Sequence, residues 1–357
     1  MIPTLSICIP TLNRPELLLQ SLNSIFNEHS LHCQLEICIS NNASSADYSV
    51  VETLLDGKAA QWNIKYVRHA DRLPLDVNHH YVKRLATADY IFFLGDDDFF
   101  LRDELPKLLD FITRTKPNLA IFNGFKVNEE NGYLGTLFAL PPRVYESIDI
   151  AFSDLWDKGS FGAVLVRREM LTDADFQQLY GTDHAYGCYW TSLFRIHERG
   201  EPLKITVPNF PCVAVRCAKK NYNHIDVYFK TIPYEFHIRR QIVKIESLRR
   251  VIEIEAASFE RFQSSIRFLC YLRSSGNDLD AIRTINPPFY FKHQRSIRFS
   301  QNFGISKAYR ILSYLYRAAV NNVRRINNKI NHPEINYKLS SIIDHDSLRE
   351  SPSCTRT

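Results

Sequence analysis

Apolar and polar positions alternate along the first third of the chain in two distinct rhythms. Leu5 to Ile9 and Leu35 to Ser40 are short apolar runs of the kind that form buried strands, and each is broken by turn-forming residues. Between them Leu17, Leu18, Leu22, Ile25 and Phe26 recur at helical spacing, with Asn13 placed to cap the helix and Pro15 in its first turn. A helix to about Leu55, a strand from Ile64 to Val67, a helix from Asp76 to Thr87 and a strongly aromatic strand from Tyr90 to Leu94 follow. A helix from Leu105 to Thr115 and a strand from Leu119 to Phe122 complete the series. Alternation of this kind predicts an α/β fold built on a mostly parallel sheet with helices on both faces.

The second half changes character. From Ile225 onward the pattern is helical over Val227–Leu248, Val251–Leu272, Leu279–Ile285 and Ile305–Ile330, interrupted at Ser274–Asn277 and Pro287-Pro288. The expected division is a sheet domain over residues 1–222, with a nucleotide-side half 1–125 and an acceptor-side half 126–222. A helical basic region 223–338 and a polar tail 339–357 follow it.

Length and composition support a globular chain: 357 residues, 45% apolar and 23% charged, with 12 glycines and 16 prolines and no repeat of fixed period. Its eight cysteines form no Cys-x-x-Cys pair, which predicts reduced thiols and no structural zinc. The amino terminus lacks a basic flank and no apolar run approaches the roughly 18 residues of a membrane span, so a cytoplasmic protein is expected. The formal net charge is +5, but no acid lies between Asp280 and Glu334, a span that holds ten lysines and arginines. Interleaved with Phe291, Phe299, Tyr309 and Tyr314, that block suits an anionic membrane surface. A solvated helix face is the plain alternative, and nucleic acid is not expected because no recognition motif accompanies the charge.

In open α/β sheets ligands bind outside the carboxyl ends of the strands, which here are Pro10–Asn13, Asn41–Asp47 and Gly95–Asp98. Three adjacent carboxylates, Asp96, Asp97 and Asp98, repel one another after a buried strand. A hard divalent cation, Mg²⁺ or Mn²⁺, removes that conflict and takes its other ligands from water and substrate phosphates. The alternative is an acidic amino-terminal cap on a helix near Leu101–Pro106. Glycine-rich dinucleotide and P-loop signatures are absent, as are His-Glu-x-x-His and Gly-x-Ser-x-Gly.

Four motifs in order resemble the family 2 glycosyltransferases of GT-A fold, especially the bacterial enzymes of O-antigen and surface-polysaccharide assembly. They are Leu5-Ser-Ile-Cys-Ile-Pro-Thr-Leu-Asn-Arg14; Leu35-Glu-Ile-Cys-Ile-Ser-Asn-Asn-Ala-Ser44 with Asp47; Asn78 before Ala88–Leu94; and Asp96-Asp97-Asp98. Beyond about Phe125 the likeness thins.

The resemblance implies that Pro10, Thr11 and Leu12, with Asn13, Arg14, Asn41 and Asn42, form the nucleotide site. Asp96 would approach the ribose, and Asp97 and Asp98 would hold Mn²⁺ or Mg²⁺ at the donor diphosphate. The activity implied is transfer of a hexosyl or deoxyhexosyl unit from a CDP-, UDP- or dTDP-linked donor to a lipid-linked or polysaccharide acceptor, with inversion. An inactive nucleotide- or glycan-binding protein on the same fold is the alternative.

Two departures matter. Asn42 stands where relatives commonly carry an acid, and its amide offers a donor and an acceptor that would match cytosine. No Glu-Asp pair is present to serve as base, so the candidates are Asp183 and His184 in Tyr180-Gly-Thr-Asp-His184. Arg216, Lys219 and Lys220 are candidates to fold over the diphosphate, and Trp156, Gly162 and Trp190 to meet the acceptor.

Overall fold

The computed structural model describes residues 4–159, 162–181, 185–217, 225, 227–274, 277–301, 308 and 338. Its first part follows the predicted alternation: β1 (Leu5–Thr11), α1 (Pro15–Phe26), β2 (Leu35–Asn41), α2 (Ser49–Lys58), β3 (Asn63–Arg68), α3 (Leu75–Leu85) and β4 (Tyr90–Phe93). These four strands are parallel and ordered β3-β2-β1-β4, with Leu5 beside Leu35 and Tyr90, and Thr11 beside Asn41. Two-residue periodicity divides their side chains between two cores. Leu5, Ile7, Ile9, Tyr90 and Phe92 meet Leu18, Leu22, Ile25 and Phe26 of α1 on one face, and Cys8, Ile91 and Phe93 meet Val82 of α3 on the other.

The sheet departs from the expected parallel order on its far side. The chain continues through β5 (Phe99–Phe100), α4 (Glu104–Thr115), β6 (Leu119–Ile121), β7 (Asn123–Val127), β8 (Tyr133–Thr136), β9 (Arg143–Tyr145), α5 (Ile148–Leu155) and β10 (Val164–Arg167). Strand β10 inserts antiparallel between β4 and β6, with Leu165 opposite Phe92 and Ala120. Antiparallel insertion carries the start of β10 to the carboxyl end of β4, where Gly162 donates its N–H to the Phe93 carbonyl at 2.8 Å. After α6 (Asp173–Gln178) and α7 (Tyr189–Glu198), β11 (Ile205–Val207) completes the eight-stranded sheet beside β6 and β9. Strand β12 (Pro211–Arg216) joins β5, β7 and β8 in a second, four-stranded sheet.

The helical region begins with a π-helical turn, Val227–Thr231, and continues as α8 (Ile232–Ile242), α9 (Glu246–Gln263), α10 (Ile266–Ser274), α11 (Ala281–Ile285), α12 (Pro287–Lys292) and α13 (Gln294–Gln301). The periodic stretch expected to run through Val227–Leu248 is broken at Val243–Ile245, where the Lys244 and Ile245 N–H groups donate to Glu198. Phe236, Val243, Leu248 and Ile252 share one core with Phe152, Trp190 and Phe194 of the sheet domain. A satellite core of Phe229, Phe268, Leu272, Ile282, Phe289 and Ile297 closes the end of the bundle. The predicted helix Ile305–Ile330 falls outside the described residues, apart from position 308. Among the described residues no helix is long and apolar enough to cross a membrane.

Candidate active site

The three strand-end loops singled out from the sequence converge around the turn after β4. Asp98 donates its N–H to the Gly95 carbonyl at 3.1 Å, closing the Gly95–Asp98 turn. A Cβ at Gly95 would lie 2.7 Å from Asp98 Oδ2 and 3.0 Å from Asp97 Oδ1, so any side chain at that point would displace the acids. The turn leads into β5, and α4 starts only at Glu104 after Asp103 in a left-handed conformation. The acidic run is therefore no helix cap.

The three carboxylates have different surroundings. Asp96 is buried and accepts hydrogen bonds from Thr11 Oγ1 at 2.9 Å, the Leu12 N–H at 3.3 Å and Arg14 Nη1 at 3.1 Å. Burial and the neighbouring Asp97 nonetheless push its pKa up to about 6. Asp98 is also buried, and one oxygen accepts the Arg216 N–H at 3.0 Å. Burial, reinforced by Asp97, raises its pKa well above the carboxylate range. Asp97 alone keeps a partly exposed side chain, 21% accessible, and accepts Arg14 Nη1 at 2.9 Å. One guanidinium nitrogen thus bridges Asp96 and Asp97.

Arg14 was foreseen only as part of the nucleotide loop. Its role as the positive charge between two acids had no signal in the local sequence, because 82 and 83 residues separate the partners.

The loops after β1 and β2 are tied to each other. The Asn13 carboxamide oxygen accepts the Ser45 and Ala46 N–H groups at 2.8 and 3.2 Å, while its own N–H donates to Ser44 Oγ at 2.9 Å. Asn13 therefore does not cap α1. Arg14 occupies the cap position without a side-chain bond, and Pro15 begins the helix. The Tyr48 hydroxyl sits 2.7 Å from Thr11 Oγ1 and accepts the Arg14 N–H at 3.2 Å. Asn41 accepts the Ser44 N–H at 3.0 Å. Asn42 makes a paired contact with Leu73, donating Nδ2–H to its carbonyl at 3.0 Å and accepting its N–H at 2.7 Å. That edge of the amide, the one suited to pairing with cytosine, is committed to the backbone before α3.

Pro10 lies inside β1, opposite Ser40. Ser40 in turn donates to Asn78 Oδ1 at 2.7 Å, which places the third motif's asparagine against the second motif's strand.

The remaining candidates divide. Gly162 adopts φ +74°, and a Cβ there would approach Asp98 Oδ2 and Val213 Cγ2 to 3.3 Å, so it belongs to the wall of the acidic turn. Arg216 is buried beneath that turn. Its guanidinium donates to the Asp97 carbonyl at 2.5 Å and to Gln20 Oε1 at 2.7 Å, reaches Asn131, and stacks 5.5 Å from the Phe99 ring centroid. It braces the acids from below instead of reaching over a diphosphate. Trp190 is 1% exposed and packs on Phe152 and Phe194, which removes it from any acceptor surface. Trp156 is half-buried and donates Nε1–H to Glu255 at 3.2 Å. Asp183, His184, Lys219 and Lys220 lie outside the described residues.

Sequence reasoning missed the attachment just before Asp183. Asp76 accepts the Gly181 N–H at 2.9 Å. His80, stacked on Phe176, bonds Asp173 at 2.9 Å through Nε2 and Tyr180 through Nδ1. Lys83 adds a 2.7 Å bond to Asp173, and with His80 it holds that carboxyl down at about 2. In sequence, Asp76, His80 and Lys83 read only as polar positions of an amphipathic helix.

Among the described residues no three His, Cys, Asp or Glu side chains gather into a cation cage. Two or fewer carboxylate ligands suit a cation that takes its remaining ligands from phosphate and water. The donor set here, hard oxygens with one carboxylate facing outward, fits such an ion.

Residues 6–172 match the family described as Glycosyl transferase family 2. The abequosyltransferase RfbV of Salmonella typhimurium strain LT2 is 37% identical over 110 residues, a match that takes in 30% of this chain and 32% of that protein's own length. In fold the chain is similar to residues 1–349 of Staphylococcus aureus TarS in complex with UDP, with a TM-score of 0.56 and 12% identity over 86% of this chain and 91% of that one. The TarS complex with UDP-GlcNAc aligns with a TM-score of 0.57 at 12% identity, covering 88% of this chain and 92% of that one.

Proposed function

From the premise that residues 6–172 belong to glycosyl transferase family 2, on a GT-A type α/β fold, we propose that this chain transfers a sugar from a nucleoside-diphosphate donor to a glycan hydroxyl. The acceptor would be lipid-linked or a growing polysaccharide, as in O-antigen assembly. That context is supported by the abequosyltransferase likeness. The observation that carries the reading is the graded acidic turn, with Asp96 and Asp98 buried and Asp97 facing outward at the carboxyl end of β4.

In this reading Thr11, Leu12, Asn13 and Asn41 shape the nucleoside pocket, with Asn42 stapling its rim to Leu73. Asp96 accepts hydrogen bonds from the donor ribose. Asp97, with Asp98 behind it, would hold Mn²⁺ or Mg²⁺. When bound, the cation offsets the negative charge that grows on the departing diphosphate. Arg14 keeps the carboxylates together until the donor's own charges arrive.

The acceptor oxygen forms a bond to the anomeric carbon as that carbon's bond to the phosphate oxygen breaks. The electron pair leaves with the nucleoside diphosphate, and the acceptor proton passes to a base. Asp183 or His184 is the proposed base, on a segment whose described flank is fixed by Asp76 and His80. One displacement inverts the anomeric centre. The basic, acid-free stretch after Asp280 would hold the enzyme at an anionic membrane surface, near a lipid-linked acceptor.

The test is nucleotide release from CDP-, UDP- and dTDP-sugars, with and without Mn²⁺, in the presence of lipid-linked glycan acceptors. Metal-dependent release from one donor, reduced by about a hundredfold or more in Asp97→Ala, is the expected result. Release that is unaffected by both metal and variant contradicts it.

A further inference from the structure

A cleft of about 720 Å³ opens between the α5–β10 connection and helices α8 and α9, on a part of the molecule the donor site does not use. Its walls carry Trp156, Tyr228, Phe259 and Phe262, the last 48% exposed. Sugar rings present flat C–H faces that pack against aromatic surfaces, and their hydroxyls donate to carboxylates.

Carboxylates are what the cleft offers. Of the four that line it, Asp154 pairs with Arg143 at 2.9 Å, Asp157 with Lys158 at 2.5 Å and the buried Glu235 with Arg239 at 2.8 Å, and Glu255 is the fourth. Glu255 accepts hydrogen bonds from neutral groups, Ser153 Oγ at 2.7 Å and Trp156 Nε1 at 3.2 Å, which leave its charge in place. Four carboxylates against three paired cations leave this wall one negative charge, which disfavours phosphate. The cleft therefore suits a neutral ligand better than a nucleoside diphosphate or the phosphate end of a lipid carrier.

The cleft also lies within reach of the acidic turn. Gly159 is in its lining and Gly162 walls Asp98. Three residues of chain span at most about 11 Å, the length of two or three sugar rings. Gly159 is itself required at its place, since a Cβ there would fall 2.0 Å from the Tyr189 hydroxyl.

We propose that this cleft binds uncharged sugar residues of the acceptor, one to three units back from the hydroxyl that is glycosylated. The proposal rests on the transferase reading, because it names that reaction's acceptor as the occupant.

The experiment is saturation-transfer NMR on the full chain with a panel of neutral trisaccharides of hexoses and deoxyhexoses, and with 6-phosphorylated counterparts. Variants Phe262→Ala, at a half-exposed position, and Trp156→Leu are compared with the parent, and Mn²⁺-dependent binding of UDP and CDP is measured on the same samples. The proposal predicts binding of at least one neutral trisaccharide, weakened about tenfold or more in both variants and by phosphorylation, with nucleotide binding unchanged. Absence of binding across the panel, or binding indifferent to both variants, overturns it. Trisaccharide binding that behaves as predicted while no nucleotide binds supports the cleft and removes the transferase reading instead.

Discussion

At the scale of single residues, the site is a problem in crowded negative charge. Asp96 has a folded pKa of about 6, above its ordinary value of 3.8, because burial and Asp97 disfavour ionisation. The native state then binds more protons than the unfolded chain between those two pH values. Stability contributed by this group is present at low pH and declines as pH rises through 6, by about 3 kcal/mol for a two-unit shift. A ribose or cation that needs the ionised carboxylate should therefore bind weakly at pH 5 and more tightly at pH 7.5, a difference of about tenfold readable by calorimetry.

Glu36 runs the opposite way. Burial alone would raise its pKa, but Lys65 at 2.5 Å, Ser6 at 2.5 Å and Thr87 at 2.7 Å hold it at about 2. Its stabilisation is complete above pH 4.5 and is lost as pH falls towards 2. Glu36→Gln leaves a half-buried Lys65 without its carboxylate, and urea unfolding at pH 7 should show a loss of about 2–4 kcal/mol. The same variant measured near pH 2 should show little difference.

At the scale of elements, function depends on how strand ends and helix starts are bolted together. Gly162 holds φ +74° beside Asp98, so Gly162→Ala adds left-handed strain of about 1–2 kcal/mol and presses a methyl group on the carboxylate. Mn²⁺ affinity should fall about tenfold while the folded state persists, as measured by electron paramagnetic resonance and thermal melting. Helix α3 holds the chain before the candidate base through Asp76 and His80. Asp76→Ala should lower kcat by about 10–100-fold and leave nucleotide affinity intact, whereas a purely structural role would reduce both together.

Most of the parallel half of the sheet was legible from sequence because β1, β2 and β4 are buried on both faces, leaving apolar runs bounded by Asn, Asp and Gly. The antiparallel insertion of Val164–Arg167 was not, since a four-residue strand carries no mark of its partner or direction. Asn13 reads as a helix cap by residue type, yet its oxygen is claimed by Ser45 and Ala46 from 32 and 33 residues away. Arg216 and Trp190 were misjudged for one reason. Residue type does not reveal burial, and the fold buries both, the first under Asp97 and the second against Phe152. Asp96, Asp97 and Asp98 were legible because three adjacent acids after a buried strand conflict with stability unless something positive meets them.

At the scale of the whole molecule, the helical region is part of the sheet domain's core. Phe236, Val243, Leu248 and Ile252 pack with Phe152 and Phe194, and Arg239 lies 5.6 Å over the Phe152 ring while paired with Glu235 at 2.8 Å. A chain truncated after residue 222 should therefore lose the cooperative unfolding transition of the full chain, each uncovered aromatic or aliphatic side chain forfeiting about 1.5–3 kcal/mol. A truncated chain that melts like the parent would restore the idea of an independent sheet domain.

The central claim is that the Asp96–Asp98 turn makes a cation-dependent site for a nucleoside diphosphate. Calorimetric titration of the full chain with CDP, UDP, GDP and dTDP, each with and without Mn²⁺ and repeated on Asp97→Ala, tests it most directly. The account predicts that one nucleotide binds only with metal and that the variant weakens this binding by about a hundredfold. Binding of none of the four, or binding that the variant leaves unchanged, would contradict it.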